Sequence, residues 1–150
     1  MSLKLHFASL SFGASVDQQT GHLSVFDLIE EIRVPVLPIQ LQSLVISLAV
    51  EKTSSDAFKG KMFIHLLTPD GKQAMVGSGE LQVPVEQKRM KAVFRFGGFP
   101  IALFGSYRFV LSWINAAGAK EGEAIMDFDV IQVAQMAQGM APSEPPALPN

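Results

Sequence analysis

The sequence predicts an all-β protein: an antiparallel β-sandwich of Ig-like or C2-like architecture, with about eight strands and a disordered, proline-rich C-terminal tail. Three observations predict it. Apolar residues recur at every second position in one short run after another. Turn signals built from Gly, Pro, Asp and Asn separate those runs at intervals of about 8–12 residues. No stretch repeats its apolar residues at helical spacing.

Each run has its own pattern. Leu3, Leu5 and Phe7 alternate in the first, and "DQQTGHL" closes it with Gly21 free to take a positive φ. A second strand is expected from His22 to Val34. "VPVLP" ends it, because Pro35 and Pro38 cannot donate to a central ladder. The third run, "LQSLVISLAV", places Leu44, Ile46, Leu48 and Val50 on one face. The fourth, "KGKMFIHLL", does the same with Met62, Ile64 and Leu66. "TPDGK" then reads as a β-turn with Pro69 second and Gly71 closing.

In "GSGELQVPV", Leu81 and Val83 oppose Glu80 and Gln82, and Gly77 and Gly79 mark a bulge or a bend. "EQKRMK" reads as a hairpin loop whose Lys88, Arg89 and Lys91 are solubilising charges. "MKAVFRF" sets Met90, Ala92, Phe94 and Phe96 against Lys91 and Arg95. "YRFVLSW" aligns Tyr107, Phe109, Leu111 and Trp113. "EAIMDFDV" alternates Ala124, Met126, Phe128 and Val130 with Ile125, Asp127 and Asp129. One apolar and one polar face per strand is the pattern of antiparallel sheets. One sandwich domain is expected over residues 1–133 and a flexible tail over 134–150, where four prolines fall in the last nine residues.

The stretch "GGFPIALFGSYRFVLSW" invites a functional reading. Gly105 lets the chain turn, and Tyr107 is placed to anchor a corner by bonding its hydroxyl to upstream backbone. Phe99, Pro100, Ile101 and Phe104 then cap the open end of the two sheets. If that loop is exposed instead, Phe99, Ile101 and Phe104 form a docking surface, and they are the candidate binding residues.

The order of "TGHLSVFDLIEEIRVPVLP", "LVISLAV", "IHLLTPDGK", "GELQVP" and "FGGFPIALFGSYRFVLSW" resembles a family of small bacterial proteins with no assigned function. The resemblance runs from Leu3 to Val133. It implies a single β-sandwich domain with a P-D-G turn and a G-x-Y-x-F strand, and it carries no catalytic residues.

Composition narrows the chemistry. Charged residues are only 17% of the 150, hydrophobic ones are 48%, and the net charge is −2. So few charges leave a surface open to partners, and the balance argues against nucleic acid. With no cysteine there is no disulfide, thiolate metal site or thiol nucleophile, and a cytoplasmic location is expected. No window reaches the ~18 apolar residues of a membrane span. His6, His22 and His65 lie on separate segments without metal-ligand spacing. Glu121, Glu123, Asp127 and Asp129 read as a solvated strand face, and "GSG" is neither a nucleophile elbow nor a phosphate loop.

No activated nucleophile or acid/base pair stands out. The expected function is therefore non-catalytic, without enzyme activity or cofactor: an interaction or structural module that assembles through an apolar surface, with a protein partner or with itself. The alternative is a small-molecule or lipid binder with a pocket at the end of the sandwich near Phe99, Phe104 and Trp113.

Overall fold

The computed structural model describes residues 2–134. They form nine strands in two sheets and no helix: β1 (Leu3–Val16), β2 (Leu23–Leu28), β3 (Glu31–Val34), β4 (Ile39–Lys52), β5 (Phe58–Leu67), β6 (Gln73–Val83), β7 (Arg89–Ile101), β8 (Gly105–Asn115) and β9 (Lys120–Gln132). Sheet A has the order β2-β1-β4-β7 and sheet B the order β3-β9-β8-β5-β6. The fold is the predicted β-sandwich. All pairings are antiparallel except β3 with β9, which is parallel. Residues 135–150, and with them most of the expected tail, lie outside the described residues.

The period-two runs deliver the core. Leu44, Ile46, Leu48 and Val50 of β4 meet Met62 and Ile64 of β5, Phe109, Leu111 and Trp113 of β8, and Phe128 and Val130 of β9, and all are buried. Burying each such side chain contributes roughly 1.5–3 kcal/mol before conformational entropy is counted.

Three local expectations become geometry. The "TPDGK" turn closes with Gly71 N–H donating to Thr68 O at 3.0 Å, Gly71 at φ 81°. The glycine-rich start of β6 carries a register shift opposite Ile64 and His65, which is the bulge. Tyr107 closes the corner before β8: its hydroxyl donates to Leu103 O at 2.7 Å and accepts from Leu103 N–H at 3.2 Å. The Tyr107 ring stacks on Phe128, centroids 5.0 Å apart. Gly105 makes the approach possible, since a Cβ there would lie 2.8 Å from Pro69.

Two expectations need correction. The segment from His22 to Val34 is two strands, not one. Asp27 takes φ 56°, the ladder with β1 ends at Leu28, and Glu31 starts a new ladder in the opposite sheet. The break is physical: Ile29 must turn into the core, where it is 4% exposed. "EQKRMK" is also no hairpin, because it carries the chain from β6 in sheet B to β7 in sheet A.

Candidate functional site

The feature that sequence reasoning missed is a roof over sheet A. Residues 44, 46, 48 and 50 of β4 face the core, so Val45, Ser47 and Ala49 face outward. An outward face of a two-sheet sandwich should meet solvent. Val45 and Ser47 are nevertheless completely buried, as is Ser11 beside Val45, and Ser9 beside Ser47 is nearly so.

The cover is the chain's own β1–β2 hairpin. β1 pairs with β4 only as far as Ser11, then bends away and pairs with β2. The hairpin folds back across the outer face. An Arg95 guanidinium N–H from β7 donates to Ala14 O at 2.7 Å, and Lys91 Nζ donates to Gly21 O at 2.6 Å near the hairpin tip. Serine, valine and alanine beneath are small enough for the roof to seat closely. The fit is incomplete: the Ser9 and Ser47 hydroxyls are buried with no hydrogen-bond partner among the described residues.

Toward the tip the roof stands off the sheet. Phe7, Ala49 and Lys91 form one cross-strand row of sheet A, and His22, Leu23 and Val25 lie opposite. They line a cavity of about 510 Å³. A second cavity of about 270 Å³ continues from Ala49 and Lys91 to His6, Arg89 and Met90. Its rim carries Glu51, which His6 Nε2 contacts, with Lys88 Nζ at 3.0 Å and Arg89 Nε at 3.8 Å. The His6 hydrogen bond, then that of Lys88, hold the Glu51 carboxyl down at about 2.

The upper side of the roof is apolar and open. Phe26 is 53% and Leu28 61% exposed on β2; Phe12 and Val16 of β1 are exposed as well, but on the hairpin's other face, where Val16 pairs with Leu23 and Ala14 with Val25. Phe26 lies against Gly13, where a Cβ would sit 3.7 Å from its ring.

The residues singled out from the sequence lie elsewhere. Phe99 and Ile101 are 7% and 0% exposed and Phe104 is half-buried, all packed on the core. Phe99 and Ile101 do not form a docking surface, because β7 runs on through Pro100 to Ile101 and turns them inward. Proline is tolerated there because β7 is an edge strand, paired only with β4. The Phe99 ring lies 5.7 Å from that of Phe109. Trp113 stands four residues further along β8, about 13 Å away at the other end of the core. Phe99, Phe104 and Trp113 therefore do not share a pocket.

Trp113 sits under Gly122 instead, where a Cβ would lie 2.6 Å from the indole. A separate cleft of about 460 Å³ opens there, between Leu3 and Leu5 of β1 and Glu121 and Glu123 of β9. The acidic face of β9 is also shorter than expected. The register shift beside Gly122 turns Glu121 inward, where Ser2 N–H and the Asn115 amide donate to it and hold its carboxyl below the usual range. Asp127 is held low by Arg108, at 2.7 and 3.0 Å. Among the described residues no three His, Asp or Glu side chains converge as a metal site.

A family model described as a family of unknown function (DUF6941) matches residues 7–117. The chain belongs to that family. The match takes in the hairpin, the roofed face and the tyrosine corner. No curated protein matches the chain. Among solved structures it is similar to part of a β-glucosidase from Listeria innocua in complex with isofagomine. That match has a TM-score of 0.50 and 9% identity, over 89% of this chain and 17% of that one. A β-glucosidase from Erythrobacter marinus gives 0.49 and 11%, over 87% and 15%. An alkylpurine DNA glycosylase from Pseudomonas fluorescens bound to DNA gives 0.44 and 12%, over 86% and 30%. The chain spans less than a third of each of these proteins, and the first match, at 9% identity, is a likeness of fold alone.

Proposed function

We propose that this protein is a non-catalytic interaction module that assembles through an apolar surface, and that the surface is the open side of the β1–β2 hairpin. The observation that carries the reading is the exposure of Phe26 and Leu28 two residues apart on β2, at 53% and 61%. Single exposed apolar residues are ordinary, whereas two large ones close together on one short strand offer a contact surface. Covering such side chains gains roughly 25 cal/mol per Å² of apolar area. A second copy of the chain is the simplest cover, since one patch then serves both sides of a two-fold interface. The absence of cysteine suits a reducing compartment, and this reading places the module in the cytoplasm.

Sedimentation velocity over a hundredfold concentration range tests the reading. The expected result is a concentration-dependent dimer that the Phe26→Ser, Leu28→Ser double variant abolishes without loss of the β-sheet circular dichroism signal. A wild-type chain that stays monomeric throughout, and captures no protein partner in a manner sensitive to those two substitutions, ends the proposal.

A further inference from the structure

We infer that the space between the hairpin and sheet A is a binding site for a small amphiphile with a carboxylate head, such as a free medium-chain fatty acid. It rests on the underside of the hairpin, whereas the assembly surface is its upper side, so the two readings stand or fall separately.

The walls set the apolar half of the ligand. Phe7 and Ala49 form the floor, and Leu23 and Val25 the ceiling, of a cavity of about 510 Å³. That lies within the ordinary size range of ligand pockets, about 300–1,000 Å³. The site differs from the close-packed contact two outward rows away, where Val45 and Ser11 are fully buried under the same hairpin. The roof seats there and stands off here, so the gap is local to the hairpin tip.

The rim sets the polar half. Lys91 is the third member of the Phe7–Ala49 row, and its ammonium meets a backbone carbonyl, Gly21 O, rather than a carboxylate. The continuing cavity leads to Arg89, and Lys88 stands beside it. One carboxylate, Glu51, faces both of these permanent cations together with His6. Asp17, in the hairpin turn, already accepts from Gln19 N–H and Thr20 N–H. The rim therefore has more fixed positive than negative charge, and an anionic head on an apolar chain complements it. Lys91 supplies the charge and a donor at the cavity mouth. The hairpin tip is held there by one lysine contact and can admit a ligand without unfolding the ladder of β1 with β2.

Decanoate and decanol, which share the chain and differ in the head, are the probes. Each is titrated below its aggregation limit into isotopically labelled protein. Decanoate is expected to shift the amides of Phe7, Leu23, Val25 and Ala49, and to bind about tenfold tighter than decanol. Lys91→Met should remove that preference for the carboxylate head. Because Lys91→Met also frees the hairpin tip, Ala49→Leu serves as a second variant. It fills the floor and should block both probes while the thermal midpoint holds. Four outcomes overturn the inference: equal affinity for the two probes, shifts centred on the Trp113 cleft or on Phe26, binding of acetate as tight as that of decanoate, or a response to anionic vesicles without one to free decanoate. Decanoate binding that survives Phe26→Ser, Leu28→Ser separates this site from the assembly surface.

Discussion

The outer faces of the two sheets began from the same kind of strand and ended differently. On sheet A, the outward residues of β4 are Val45, Ser47 and Ala49, and the chain's own hairpin covers them. On sheet B, a cross-strand row of Met75, His65, Val110 and Ile125 has no such cover among the described residues. Met75 is 59% and Ile125 49% exposed. The residue types match these fates. Small side chains lie under the roof, where a second layer must approach. Larger ones flanked by the Arg108–Asp127 pair lie on the open face. An outward position in a sandwich is therefore not a surface position by default, and its burial depends on what the rest of the chain folds over it.

The largest effect should come from placing a charge on each face. Val45→Lys puts an ammonium under the roof beside Arg95, and is expected to cost about 3 kcal/mol or more in urea unfolding. Val110→Lys on the open face should cost less than about 1 kcal/mol, because its ammonium can reach water. Equal costs would mean that the roof does not exclude water. Next, Ser47→Ala removes a buried hydroxyl that lacks a partner, and should stabilise the protein by about 1 kcal/mol, with Ser112→Ala on the open face near zero. A loss on Ser47→Ala would show that an ordered water serves that hydroxyl.

Arg95→Met should cost about 1 kcal/mol and speed amide exchange in β2 ahead of β4. Uniform exchange would mean that the hairpin does not open on its own. The least effect concerns the rim. The Glu51 carboxyl falls from 4.5 to about 2 on folding, so its charged form contributes stability that is complete above pH 4.5 and lost as pH falls toward 2. Glu51→Gln should flatten that part of the acid limb and leave neutral pH little changed. An unchanged acid limb would show that the contacts of Glu51 with His6 and Lys88 do not form in solution.

Much of the fold was legible. Alternation in β4, β5, β8 and β9 named the core residues, because a pleat sends every second side chain the same way whatever the topology. Tyr107 was legible as a corner because a glycine, one residue and a tyrosine at a strand start have few other uses. The candidate site was not. Phe99 and Ile101 drew notice as aromatic and aliphatic residues beside glycines, yet β7 continued through them and buried them. Phe26 and Leu28 drew none. The available signal was that "LSVFDL" carries apolar residues on both of its faces, which a strand with one open side does not need.

The sequence by itself determined the class of fold, the inward face of each principal strand and the turn at Gly71, since these rest on the local pleat and on local dihedral preference. Only the tertiary structure decided that β3 pairs parallel with β9, that Glu121 turns inward, and that the first hairpin lies back over sheet A. Those outcomes depend on which distant surfaces meet. Arg95 reaching Ala14, and Lys91 reaching Gly21, join positions 81 and 70 residues apart. No local pattern encodes such a meeting, because it is selected by the fit of small side chains beneath the hairpin.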